Sequence, residues 1–263
     1  MTPVQAAVLG VVQGLSEFLP ISSSAHLYVV PTLLGWPYAG VAFDVALHWG
    51  TLLALIVAYG RDWLELARGV FVGPDAARSD ARTTWLKLIV ASVPAAVAGV
   101  LLQKAADERL RSLPLQAATL AFFGFLLWWV DRRRPSGAPT SAPGWGACLA
   151  MGAAQALALV PGVSRSGVTI TAGRAAGVER VSAARFSFLL ATPITFGAGL
   201  LELRHLPHDL PVSTLAIGVA VAAITGFIAI RGLIRWLGRS GFGVFFAYRV
   251  ALALVIVFAL ARR

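Results

Sequence analysis

Charge is what this chain has least of. Only 13% of its 263 residues are Asp, Glu, Lys or Arg, and the mean hydropathy is +0.77. Soluble domains usually carry about 25% charged residues, so an ordinary water-soluble fold is excluded. Apolar runs near 20 residues recur along the whole length instead, enough to cross a hydrocarbon core roughly 30 Å thick. A single cysteine, Cys148, excludes an intrachain disulfide. The N-terminus lacks a basic n-region, and its apolar run contains Glu17 and ends at Pro20, so it does not read as a cleaved signal peptide. Acidic residues are also scarce, 12 against 22 basic ones, for a net charge of +10. The arginines are spread through short loops between apolar spans, which fits retention of positive loops in the cytoplasm and excludes a nucleic-acid partner. Attraction to anionic lipids is an unspecific addition.

The chain therefore reads as an all-α polytopic membrane protein. Residues 3–19 are apolar apart from Gln5, Gln13, Ser16 and Glu17, and Pro20 disfavours helical geometry at Leu19, while the serines that follow compete for backbone groups. The next apolar piece, Leu27–Leu34, ends at Gly35-Trp36-Pro37 and is too short to cross at about 1.5 Å per residue. Helix, break and returning half-helix make a re-entrant hairpin over 3–34, tolerated at membrane depth only where it lines a cavity or is buried in protein. Full spans are predicted at 39–60, 84–103 and 113–130, with a charged loop at 61–82. The Pro/Gly/Ser-rich stretch 135–144 is the one linker. A second hairpin over 145–177, broken at Pro161-Gly162, precedes spans at 183–201, 211–230 and 242–260.

Two halves, 1–131 and 144–263, thus repeat one order of elements within a single membrane domain. Gly10-x-x-Gln13 recurs as Gly152-x-x-Gln155, and Pro20 with Ser23 recurs as Pro161 with Ser164. Loops 61–82, 131–135, 174–185 and 231–239 share one side and hold thirteen of the 22 basic residues, which places them in the cytoplasm. Three spans per half put the two hairpins on opposite sides, an inverted-topology repeat with about six full transmembrane helices. Sites in such folds lie at the repeat interface near mid-membrane, so the two polar hairpin tips should meet there.

The tips carry complementary chemistry. The first, Gln13 to His26, offers Glu17 as a base or ligand of a hard cation and Ser22, Ser23 and Ser24 as nucleophiles or phosphate donors. Its imidazole, His26, suits proton transfer and can itself attack phosphorus. The second, Pro161 to Thr169, offers the planar fork of Arg165 for phosphate or carboxylate, with hydroxyls from Ser164, Ser166 and Thr169. Gly162 and Gly167 allow close backbone approach, and the half-helix N-terminus adds a positive dipole end. Together these are the parts needed to stabilise charge in phosphoryl transfer.

The stretch Gln13-Gly-Leu-Ser-Glu17-Phe-Leu-Pro-Ile-Ser-Ser-Ser-Ala-His26 resembles the first signature of the undecaprenyl-diphosphate phosphatase (bacitracin-resistance) family. Pro161-Gly-Val-Ser-Arg-Ser-Gly-Val-Thr169 is similar to its second. Gln13 stands where Glu also occurs, removing one possible metal ligand, and Ser24 stands where Thr is common. The resemblance covers essentially the whole chain. It implies removal of the terminal phosphate from undecaprenyl diphosphate, assisted by Mg2+ or Ca2+, in the bacterial cytoplasmic membrane with the site toward the outer face. Glu17, with Gln13, would hold the metal or activate a group. Ser23, His26 or an activated water would be the nucleophile, and Arg165, Ser164, Ser166 and Thr169 would grip the diphosphate. A second copy of the chain is a candidate partner.

Other polar residues read as structural. Asp44 and His48 share a helical face within span 39–60 and are expected to line a helix contact or cavity rather than to catalyse. Glu202, Arg204, His205, His208 and Asp209 look like a solvated outer loop, and Arg249 needs a buried partner. No Cys-x5-Arg loop or aspartate-rich metal motif is present, so soluble-type phosphatase chemistry is unsupported. The rival to hydrolysis is a polyprenyl-phosphate flippase or another inverted-repeat transporter.

Overall fold

Thr2 opens the first helix as a capping box, its hydroxyl accepting from the Gln5 amide while the Gln5 side chain accepts from the Thr2 N–H. In the computed structural model, which describes residues 1–110, 112–134, 143–202 and 211–262, this helix is α1 (Pro3–Phe18). It is followed by α2 (Ser23–Leu34), α3 (Val41–Ala58), α4 (Gly60–Gly69), α5 (Asp75–Arg109) and α6 (Leu113–Arg133). The second half holds α7 (Trp145–Ala156), a 3-10 turn (Leu157–Leu159), α8 (Arg165–Ala175), α9 (Arg180–Glu202), α10 (Val212–Leu237) and α11 (Gly243–Ala261). No strand occurs among the described residues.

Six of these helices, α3, α5, α6, α9, α10 and α11, are long and apolar enough to cross a membrane. Their outward faces are apolar too: Val97, Val100 and Leu101 of α5, and Leu254, Val257 and Phe258 of α11, are exposed. Large apolar side chains in such numbers on helix exteriors suit lipid rather than water. The chain is a multi-pass membrane protein.

One expected loop is instead helical. Residues 61–82 contain α4 and the polar first turns of α5, because α4 turns Trp63 and Leu66 inward against the core while Arg61, Leu64, Glu65 and Arg68 face out. The indole N–H of Trp85 on α5 donates to the Leu66 carbonyl at 3.2 Å and ties the two together. Residues 135–142 of the expected linker, and the loop carrying Arg204, His205, His208 and Asp209, lie outside the described residues.

Small residues set how the two halves lock. α1 packs along α10, and α7 along α5, so each hairpin's first arm lies on the second long span of the other half. A Cβ on Gly10 would stand 2.5 Å from the Gly218 carbonyl oxygen of α10, and one on Gly152 would stand 2.3 Å from the Ala91 carbonyl oxygen of α5. Helix backbones in lipid approach this closely only over glycine-like positions. At the arginine-rich end, Asp131 in the last turn of α6 takes both Arg174 Nε (2.9 Å) and Arg180 Nε (2.8 Å), and Arg185 reaches Asp62 at 2.6 Å. Three of the four basic loops are thereby held at one end of the helices.

Candidate active site

Both hairpins break at a serine forced into unfavourable backbone geometry. Ser22 has φ 75° and ψ 97°, Ser164 has φ 72° and ψ 112°, and they are the only non-glycine residues with positive φ among those described. Each such residue costs on the order of 1–3 kcal/mol and persists only where its surroundings over-determine it. In each break the serine hydroxyl lies near that of the serine two residues on, Ser22 to Ser24 at 3.2 Å and Ser164 to Ser166 at 3.3 Å. The first turns of α2 and α8 start at these points and bring two positive helix ends to the same region.

Arg249 of α11 holds the breaks in register. Its fully buried guanidinium donates to Pro20 O (3.2 Å) in the first break and to Gly162 O (2.8 Å) and Val163 O (3.2 Å) in the second. It also reaches Leu120 O (2.8 Å) and Thr119 O (3.2 Å) on α6. The partner this arginine needed is thus a set of carbonyls, three of them from the helix breaks and two from α6. Gly162 has φ 90°, and a Cβ there would stand 2.0 Å from Thr119 Oγ1, so the turn closes only on glycine.

Glu17 and Arg165 meet across the breaks, Arg165 Nη2 donating to Glu17 Oε1 at 2.5 Å. The other carboxylate oxygen accepts from Ser23 Oγ at 2.5 Å and Gln13 Nε2 at 3.2 Å. Glu17 is only 6% exposed, a burial that its ionised form tolerates through these donors. Around them lies a cavity of about 240 Å³, whose polar lining is Glu17, Ser22, Ser23, Ser24, His48, Gln155, Ser164, Arg165 and Thr195. Arg165 Nη1 is buried and has no hydrogen-bond partner among the described residues.

His48, expected to line a helix contact or cavity, does line this cavity, and its place beside Glu17 makes it a functional candidate that its spacing alone did not reveal. Its Nδ1 faces the Asp44 carbonyl at 2.7 Å and so carries a proton, while Nε2 stands 3.4 Å from Glu17 Oε2. Nε2 can donate to Glu17 only when the ring is doubly protonated. The shared face of Asp44 and His48 was visible in their spacing; that this face meets the first hairpin was not.

His26 departs the other way. Its Nδ1 faces Ser22 O at 2.7 Å and its Nε2 faces the Tyr248 hydroxyl at 2.7 Å, with the two rings stacked 5.6 Å apart. Both nitrogens are engaged behind the break, and the ring does not line the cavity. Ser166 and Thr169 likewise turn away: Ser166 Oγ reaches Leu19 O at 3.4 Å, and Thr169 Oγ1 bonds Arg165 O (2.8 Å) and Ser187 Oγ (2.6 Å). Ser164 Oγ accepts from the Gly167 amide at 3.2 Å. Among the described residues no group of three or more His, Cys, Asp or Glu side chains could close a metal shell. Glu17 and the buried Gln13 Oε1, which has no hydrogen-bond partner among the described residues, are the oxygen donors on hand.

Residues 6–255 match the family model for the bacitracin resistance protein BacA. The chain is 49% identical over 263 residues to a Moorella thermoacetica protein named undecaprenyl-diphosphatase, covering 98% of this chain and 97% of that one. Proteins of the same name from Desulforudis audaxviator and Pelotomaculum thermopropionicum are each 46% identical, over 100% of this chain and 100% and 99% of theirs.

Proposed function

This chain belongs to the bacitracin resistance protein BacA family, and from that membership we propose that it hydrolyses undecaprenyl diphosphate to undecaprenyl phosphate and inorganic phosphate in the cavity between its two helix breaks. The observation that carries the site assignment is one carboxylate, Glu17, shared at 2.5 Å by Arg165 of the opposite break and at 2.5 Å by the Ser23 hydroxyl.

The ion pair is the resting arrangement. A diphosphate entering the cavity competes for the guanidinium, since phosphate suits its fork as well as carboxylate does. Arg165 then neutralises the terminal phosphate, helped by the helix ends of α2 and α8, and Glu17 loses its strongest donor and gains basicity. Ser23 Oγ attacks the terminal phosphorus as its proton passes to Glu17 Oε2. The bond from phosphorus to the bridging oxygen breaks, and undecaprenyl phosphate leaves. Glu17 has by then given that proton to the departing undecaprenyl phosphate; water attacks the phosphoserine, its proton goes to Glu17 and on to Ser23 Oγ as the seryl oxygen leaves, so one water is consumed per turnover. His48 positions Glu17, and His26 positions the break by holding the Ser22 carbonyl.

Glu17 and Gln13 Oε1 would hold a divalent cation, Mg2+ or Ca2+, with phosphate oxygens completing its shell. When bound it would neutralise charge on the diphosphate. The outward reading of the site is supported by the cavity's lining residues Val45, Gly99, Ala198 and Gly199. They lie toward the helix ends away from the arginine-rich loops, which the positive-inside rule assigns to the cytoplasm; for a bacterial carrier lipid that membrane is the inner one.

Purified protein in detergent should release phosphate from undecaprenyl or farnesyl diphosphate. Acid quenching with substrate labelled in the terminal phosphate should trap phosphoserine on wild type and none on Ser23→Ala, whose kcat should fall roughly 10³-fold or more. Wild-type turnover by Ser23→Ala would assign the attack to water instead. Absence of release by wild type, with movement of carrier lipid across liposomes, would favour transport.

A further inference from the structure

Gln155 lines the cavity beside Arg165, and neither its Nε2 nor its Oε1 has a hydrogen-bond partner among the described residues. The residue is 2% exposed, so the cavity is where a partner for its amide can come from. Leaving a buried amide unmade costs on the order of 1–3 kcal/mol. Such a group is kept where something else completes it.

The matched position in the first half shows how the group came to be free. Gln13 donates Nε2 to Glu17 one helical turn on, at 3.2 Å. One turn on from Gln155 the residue is Leu159, which offers no acceptor, and the helix has by then tightened into the 3-10 turn Leu157–Leu159. The Gly152 that precedes Gln155 presses α7 onto α5 and fixes where the amide stands. On the same cavity, Arg165 Nη1 is the other buried donor with no partner among the described residues.

We infer that Gln155 is a substrate-binding residue, its Nε2 donating together with Arg165 Nη1 to non-bridging oxygens of the terminal phosphate. The inference rests on the phosphatase reading above and adds a ligand contact to it. An uncharged donor here grips the phosphate without adding to the positive charge that Arg165 already supplies.

The test uses full-length protein in detergent and three readouts on Gln155→Met and Gln155→Glu: ligand-free melting temperature, kcat and KM on farnesyl diphosphate, and protection by inorganic phosphate. Gln155→Met should keep or raise the ligand-free melting temperature, since an unsatisfied amide is removed. Its kcat/KM should fall roughly 10–100-fold, and the stabilisation by phosphate should shrink. Gln155→Glu should lose more, because a carboxylate faces the phosphate. A lowered melting temperature in Gln155→Met would mean that the amide is structural and would overturn the inference, as would wild-type kcat/KM with full phosphate protection. Gln155→Glu active at or above wild type would make the position a cation ligand and overturn it equally. An inactive wild type would instead overturn the phosphatase reading, and this inference with it.

Discussion

At the first helix break Ser22 sits at φ 75° with Ser24 Oγ 3.2 Å from its hydroxyl; at the second, Ser164 sits at φ 72° with Ser166 Oγ at 3.3 Å. The glycines behind them, Gly10 and Gly152, both press a carbonyl of the neighbouring span. On this shared backbone the side chains diverge. Glu17 enters the cavity from one side, and from the other the arginine that answers it, Arg165, comes from the first residue of α8. Gln13 donates its Nε2 to Glu17, and Gln155 has no hydrogen-bond partner at either amide atom among the described residues. Similar backbones at the two breaks position the parts, and the chemistry comes from where their side chains differ.

The largest break in that comparison removes the divergent pair. Glu17→Ala or Arg165→Ala should each lower kcat/KM on the order of 10³-fold with folded protein retained, measured by phosphate release. Next is the residue that belongs to neither break and holds both. Arg249→Leu abandons five carbonyls, of which Pro20, Gly162 and Val163 belong to the breaks. At about 1–3 kcal/mol for each buried acceptor left unmade, offset by repacking, stability should fall by about 3–5 kcal/mol in detergent unfolding.

How far the site was legible follows the same division. The breaks themselves were visible, because Pro20, Pro161-Gly162 and the serine clusters are local signals in apolar runs. The meeting of Glu17 with Arg165 followed from the matched order of elements. What was not visible depends on which faces pack. Asp44 and His48 share a face by spacing alone, and only the approach of α1 to α3 puts His48 3.4 Å from Glu17. His26 carries the right chemistry, but Tyr248, 222 residues away, occupies its second nitrogen. Arg249 stood out as a charge in an apolar span, while its acceptors come from three distant segments. α4 was missed because its ten residues alternate Arg, Asp and Glu with Trp and Leu too briefly to separate from a charged loop.

Smaller effects sharpen the comparison. Gly10→Ala and Gly152→Ala should each cost about 1–3 kcal/mol by overpacking, and near-equal losses in unfolding would mark the two contacts as equivalent. Glycine at the strained serines should separate them. Ser22→Gly relieves the backbone and should stabilise by up to about 1 kcal/mol. Ser164→Gly should gain less, since its hydroxyl accepts from the Gly167 amide at 3.2 Å and that cap is lost.

The central claim is that Glu17 and Arg165, from opposite breaks, act as one unit, and the Glu17→Ala/Arg165→Ala double mutant measures it. Residues that work together lose their effect once, so kcat/KM of the double mutant should lie within about 10-fold of the worse single mutant. Losses that multiply, to on the order of 10⁶-fold, would mean that the two breaks contribute independently and would contradict the account.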